Sequence, residues 1–309
     1  MTPPTPAPSH RAGAVLLVTV VFAWGLTWPI NKVILQTVPP LWAVALRAAL
    51  GTLALFALAL ATRRLVRPPR ADLPVLLSIT LLHMVGFTTL STAGLALVPA
   101  GRSAVLAYTT PLWVVPGAGL FLGERLSARR LVGVIAGLTG LVVLFNPLAL
   151  DWTRGAVVLG NVAILVAALL WAASILHIRG HPWRSTPFDL LPWEMLLATL
   201  VLLPLAWVVS GPPVFEWTPR LTALFVYAGL PGQALPYWAI AMAGRRLSAV
   251  TTSLGLLATP VVSIVVAMLW LDERPGLALL VAVALILGGV ALGATGEPSR
   301  GRPSAAAVQ

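Results

Sequence analysis

Leu131–Leu150 reads LVGVIAGLTGLVVLFNPLAL, twenty residues without a charge. A bilayer core about 30 Å thick takes roughly 20 apolar residues as an α-helix, so this stretch has the length and composition of a membrane span. Ser103–Gly123 and Leu221–Gly244 are equally free of charge. Reading outward from them, between one set of charges and the next, places ten spans near 12–34, 40–61, 73–98, 102–122, 130–148, 155–177, 188–209, 221–243, 247–270 and 275–295. The whole chain agrees. Of its 309 residues 59% are apolar and 9% are charged, against about 25% charged in a soluble domain. So few charges cannot cover the surface of a soluble fold of this length.

The formal net charge of +11 raises nucleic acid as a partner. The basic residues, however, are scattered along the chain and form no basic face with interleaved aromatics, so nucleic acid is set aside. Their distribution instead orients the spans. Arg63, Arg64, Arg67 and Arg70 follow the second span, and Arg125, Arg129 and Arg130 the fourth. Arg179 and Arg184 follow the sixth, and Arg245 and Arg246 the eighth. With Arg11, Arg300 and Arg302, fourteen basic residues fall on one side, against five (Lys32, Arg102, Arg154, Arg220, Arg274) on the other. The expectation is a multi-pass protein of a bacterial inner membrane with both termini in the cytoplasm, which needs an even number of spans. The first span lacks a small-residue cleavage site and reads as a retained helix. Residues 1–11 and 296–309 read as disordered tails. There are no cysteines, which excludes disulfides, thiolate metal sites and cysteine nucleophiles.

The two halves of the chain echo each other at an offset of 147 to 149 residues. Trp24-Gly25 answers Trp171-Ala172, Thr110-Pro111 answers Thr259-Pro260, Gly123-Glu124-Arg125 answers Asp272-Glu273-Arg274, and Gly140 answers Gly289. Five spans per half is an odd number, so the second half (151–295) sits inverted relative to the first (12–150). Such repeats frame alternating access, with the substrate near the midplane between them. Ala100-Gly101-Arg102-Ser103-Ala104, Tyr108-Thr109-Thr110-Pro111, Gly123-Glu124-Arg125-Leu126-Ser127 and Trp24-Gly25 together resemble EamA-type transporters of the drug/metabolite transporter superfamily. The resemblance covers about 12–295. It implies an all-α fold of ten transmembrane helices in two inverted five-helix repeats, and export of amino acids, metabolites or toxic compounds.

Two charges stand out well inside spans, away from their ends: Arg47 in the second and Glu194 in the seventh. Intramembrane charges are functional candidates by default. The two are 147 residues apart, which suggests a salt bridge at the pseudo-two-fold axis. Helix rise argues against it, since the two lie near opposite faces and about 10 Å apart in depth. The alternative for Arg47 is snorkelling to the interface that Trp42 marks. Glu194 is the carboxylate suited to coupling transport to protons. Substrate-binding candidates are Trp24 and Trp28, which share a helix face, together with His83, Tyr108, Asn161, Trp171, Gln233 and Tyr237. Gln233 sits in Pro231-Gly232-Gln233-Ala234-Leu235-Pro236, where two prolines and a glycine interrupt the helix and free backbone carbonyls. Interhelical hydrogen bonding is the structural alternative for His83 and Gln233. Lipid-belt placement is that alternative for the aromatics, including Trp113 and Trp238.

Glu124 and Glu273 read as structural, each preceding a helix start. Ser127 suits a cap of the fifth span and Pro275 the first turn of the tenth. Gly133, Gly137 and Gly140 in the fifth span and Gly289 and Gly293 in the tenth predict that these two helices pack together, away from the cavity. No cofactor or metal is expected; the partners are a small-molecule substrate and the lipid bilayer, and the protein is a monomer or homodimer. Two other classes remain. Gly101-Arg102-Ser103-Ala104 matches a short serine-protease pattern, which would make an intramembrane enzyme with His83 as base. A channel would need a repeated filter or rings of like groups.

Overall fold

Hydrocarbon offers no hydrogen bonds, so a chain this apolar must satisfy its backbone internally, and helices do so within one segment. The computed structural model describes residues 10–124, 126–146, 151–244, 246–247 and 249–295. Among them every regular element is helical. Helices α1 (His10–Ile34) and α2 (Pro40–Ala61) come first. A third rod joins α3 (Leu73–Ser78), a π-helical stretch Ile79–Phe87 and α4 (Thr88–Leu97). The fourth joins α5 (Ala100–Ala107) to α6 (Thr110–Leu122). Then come α7 (Ala128–Leu144), α8 (Gly155–Gly180) and α9 (Pro187–Ser210). A further rod joins α10 (Pro219–Gly229), the π-helical Leu230–Ala234 and α11 (Leu235–Gly244). Helices α12 (Ala249–Leu256), α13 (Ala258–Leu271) and α14 (Leu277–Ala294) end the described chain.

Among the described residues eight helical segments are long and apolar enough to cross a membrane. The other two expected spans are α7, which has 17 residues, and the 219–244 rod, whose apolar run is diluted by Pro231, Gln233, Pro236 and Tyr237. Helix α1 begins at His10 and so includes the last two residues of the expected tail 1–11; the rest of that tail lies outside the described residues. Residues 1–9, 147–150 and 296–309 lie outside the described residues, and so do Arg125, Arg245, Arg300 and Arg302.

The narrow break between the third and fourth rods falls at Val98-Pro99, where Val98 is extended. Charges from elsewhere hold it. Lys32 donates to the carbonyls of Leu95 (2.6 Å) and Val98 (2.8 Å), at the negative end of α4. Glu273 accepts from the backbone N–H groups of Ala100 (2.5 Å) and Gly101 (3.0 Å), at the positive end of α5. Glu273 is therefore a helix cap, but of α5 rather than of the helix that follows it. Glu124 instead pairs with Arg130 (3.4 Å) and with Arg179. Ser127 accepts from the N–H of Arg130 at 3.3 Å and caps α7 as expected. Pro275 misses the expected first turn, because Gly276 is the N-cap of α14.

Positions about 147–149 residues apart adopt matching local geometry. Pro111 and Pro260 each follow a break, between α5 and α6 and between α12 and α13, because proline cannot donate to the preceding turn. Gly123 (φ 66°) and Asp272 (φ 54°) both end their helices in the left-handed region. Helices α2 and α9 pack antiparallel. Trp42 at the start of α2 donates to Gly211 O beyond α9 (3.0 Å), and Trp193 near the start of α9 donates to Val66 O beyond α2 (2.8 Å). Between them the hydroxyls of Thr52 and Thr199 meet at 2.9 Å. Helices α7 and α14 pack backbone to backbone. A Cβ on Gly133 would collide with the carbonyl oxygen of Gly289, and one on Gly289 with that of Gly133. Apolar side chains also cover the outside: Leu120, Val208 and Leu269 are 78, 80 and 81% exposed. In water these would be liabilities, and against lipid they are a solvated face.

Candidate functional site

Trp24, Thr27, Trp28 and Asn31 recur at helical spacing on one face of α1 and form one wall of a cavity of about 120 Å³. The π-helical turns form another. A π-helix carries an extra residue per hydrogen-bonded ring and is frequent at functional positions; here one holds His83 and the other Gln233. His83 stacks on Trp171 of α8, with ring centroids 5.1 Å apart and planes 8° apart. Tyr237 meets the edges of both Trp24 (6.0 Å) and His83 (6.3 Å). Tyr108 sits at the kink that Pro111 makes and meets the edge of Trp171 at 6.4 Å. Trp24, Tyr237, His83, Trp171 and Tyr108 are thus one connected set, and Trp28 joins them as a lining residue of the cavity.

Arg47 lines the same cavity and is only 9% exposed, so it does not snorkel to the rim. Glu194 is 4% exposed but does not line the cavity. Neither forms an ion pair or hydrogen bond among the described residues. The helix crossing explains why they do not meet. Each lies five residues before its member of the Thr52–Thr199 pair, and in antiparallel helices that puts them about 15 Å apart along the axes. Gln233 donates through Nε2 to Met195 Sδ at 3.1 Å, while its buried Oε1 has no partner among the described residues. Asn161 is not at the cavity. Its side chain accepts from Arg102 Nε (2.7 Å) and donates to Val157 O (2.7 Å), which ties α5 to α8. Arg102 also donates to Leu144 O at 2.7 Å. Ser103 of the protease-like pattern donates to Pro99 O at 2.9 Å and is apart from His83 and the cavity. Trp113 donates to Thr109 Oγ1 at 3.3 Å, and Trp238 is exposed.

Sequence reasoning missed Asn31, Thr27 and a stripe on the third rod: Phe87, Thr88, Ser91 and Thr92. Asn31 was readable, seven residues after Trp24 on a face already chosen. Phe87 lies one turn after His83 and packs on Trp171 at 4.9 Å, but nothing in its neighbourhood separates it from a lipid-facing residue.

The model of the EamA-like transporter family matches twice, at residues 11–146 and 158–295. The chain belongs to the EamA-like transporter family. It is 24% identical over 274 residues to the uncharacterized transporter YoaV of Bacillus subtilis (strain 168), covering 89% of this chain and 94% of that one. It is 32% identical to a probable terminal-alkyne amino-acid exporter of Streptantibioticus cattleyicolor (89% and 91% covered). It is 29% identical to a probable amino-acid metabolite efflux pump of Escherichia coli (strain K12; 90% and 93% covered). One solved crystal structure shares the fold with a TM-score of 0.65 at 25% identity, covering 92% of this chain and 98% of that one. Family and apolar helices together make this a multi-pass membrane protein, and they point to a transporter rather than an enzyme.

In this EamA-like protein a second cavity of about 400 Å³ lies back to back with the first. The two share Trp24, Tyr108 and Trp171. The second is lined by apolar residues such as Leu112, Val115 and Ile175, with Arg130 at its edge. Gly133, Gly289 and Gly293 line it too. The glycine face of α7 and α14 therefore does pack as expected but is not remote from a cavity.

Proposed function

We propose that the protein is a secondary transporter that exports small organic molecules across a bacterial inner membrane by alternating access. The observation that carries this is the pair of cavities enclosed by helices from both halves of the chain and divided by Trp24, Tyr108 and Trp171. A site reached in turn from two sides needs such a divided path. Names of relatives as amino-acid or amino-acid-metabolite exporters support export and a metabolite-sized substrate. The first cavity is the binding site in this reading, with Trp24, Trp28, His83, Tyr108, Trp171, Gln233 and Tyr237 as its walls.

The architecture proposed is ten crossings in two inverted repeats. The two matches to the family model and the paired kinks, π-turns and left-handed caps support it. Helix α7 rises about 26 Å over its 17 residues, close to the thickness of the hydrocarbon core. The 219–244 rod crosses despite its prolines because Gln233 and Tyr237 face the cavity and not lipid. Ten crossings put both termini on one side, and the arginine distribution places that side in the cytoplasm. Glu194, the carboxylate placed well inside a span and away from its ends, carries proton coupling. Purified protein in liposomes, loaded with a labelled candidate metabolite and given an inward proton gradient, tests the function. Saturable, counterflow-capable flux is expected; flux that is neither saturable nor stimulated by substrate on the far side would mean a channel.

A further inference from the structure

We infer that the first cavity takes organic monoanions, with Arg47 holding the carboxylate and the aromatic wall holding an apolar or aromatic body. The inference rests on the transporter reading for calling that ligand a substrate, but binding itself does not depend on transport.

Arg47 is nine-tenths buried, lines the cavity and has no ion pair or hydrogen bond among the described residues. A buried guanidinium without an anion is costly, because desolvation is not repaid. Among the described residues no aspartate or glutamate lines the cavity to repay it, and Glu194 lies about 15 Å away along the helix axes. A ligand that brings its own negative charge removes the cost. The guanidinium fork presents planar, paired N–H donors, which match a carboxylate in two parallel hydrogen bonds. One guanidinium neutralises one carboxylate; a phosphate dianion would enter with a charge unpaired. The rest of the ligand is set by what faces Arg47: Trp24, Trp28, Phe87, Trp171 and Tyr237. Such walls favour a flat, apolar body. The unpaired Oε1 of Gln233 accepts from a hydroxyl or N–H of that ligand. A cation gains contact with the ring faces but meets the like charge of Arg47, with no carboxylate among the described lining residues to offset it.

The test uses full-length protein in detergent and two matched ligand sets. They are 3-phenylpropionate, 3-phenylpropanamide and 3-phenylpropylamine, and indole-3-acetate, indole-3-acetamide and tryptamine. Calorimetric titration should show each acid binding at least fivefold tighter than its amide, with the amines weakest. Arg47→Gln should erase the advantage of the acid over its amide; Arg47→Lys should keep part of it. An advantage below fivefold in both sets overturns the proposal, and that arm needs no variant to fold. An advantage that survives in folded Arg47→Gln also overturns it, by moving the anion site elsewhere. Counterflow of the same six compounds in liposomes separates the two readings. Acids bound but never moved would remove transport and leave the anion site. Amines moved in preference to acids would remove the anion site and leave transport.

Discussion

Glu194 and Arg47 show how much a single residue reveals before its neighbours are known. Their charge inside apolar runs marks both as exceptional, because insertion costs roughly 2.5–3.5 kcal/mol each. What the chain alone does not show is direction: Arg47 turns into the cavity, and Glu194 is buried beside it without lining it. Depth arithmetic from helix rise was enough to separate the two, and the Thr52–Thr199 crossing accounts for it. Asn161 misled because a polar residue in a span has two uses, and its partner Arg102 is 59 residues away in sequence. The proton-coupling role proposed for Glu194 has a clear outcome. Glu194→Gln keeps the shape and removes the exchangeable proton. It should lower uptake driven by a pH gradient in inverted vesicles by at least tenfold and leave substrate exchange at equal pH within about twofold. An unchanged pH profile would exclude Glu194 and leave His83 as the titratable group of the cavity.

At the scale of helices and turns, the devices that carry special backbone chemistry were legible and those that depend on partners were not. Thr-Pro at 110–111 and 259–260 announces the two kinks, and Pro231-Gly232 announces the broken rod. The π-helical stretch Ile79–Phe87 contains no proline, and no local signal exposes it; it is visible only as the counterpart of the other. Gly123 and Asp272 occupy the same left-handed position, where a side chain costs about 1–2 kcal/mol and glycine nothing. Asp272→Gly should therefore raise stability by about 1 kcal/mol, read as a higher thermal midpoint in detergent. A fall would mean that the carboxylate holds something at that turn. The contact of α7 with α14 has the opposite sensitivity. Gly289→Ala places a methyl group against the Gly133 carbonyl oxygen, and overpacking of this kind costs about 1–3 kcal/mol. The thermal midpoint should drop, whereas Gly288→Ala, in mid-helix with open space around it, should hold or raise it. The clamp on Val98-Pro99 was unreadable for a plain reason: Lys32 and Glu273 come from opposite ends of the chain.

For the whole molecule, the arginine asymmetry and the repeat offset suggest the architecture, but the sequence says nothing of how the two halves divide the path. The first cavity lies towards the ends of α1 and α4 that Asn31 and Leu95 mark, and the second towards Arg130 and Gly293. With cytoplasmic termini, a reporter fused after Thr295 and one fused before His10 should both score cytoplasmic; opposite scores would break the ten-crossing arrangement. In that orientation the first cavity faces outward and the second faces the cytoplasm. Trp24, Tyr108 and Trp171 are then the barrier between them. Tyr108 is the member whose position depends most on local geometry, since it sits at the break before Thr110-Pro111. Tyr108→Ala removes the ring that meets Trp171 edge-on at 6.4 Å and opens space between the two chambers. If transport requires the chambers to open in turn, the variant should pass substrate down its gradient without needing substrate on the far side. Net efflux should rise at least threefold while the ratio of counterflow to net efflux falls towards one. Tyr108→Phe keeps the ring and should behave as the parent. A Tyr108→Ala protein that folds and keeps the parent's counterflow ratio would show that the barrier lies elsewhere, and the shared aromatics would then be walls of two cavities that never exchange a ligand.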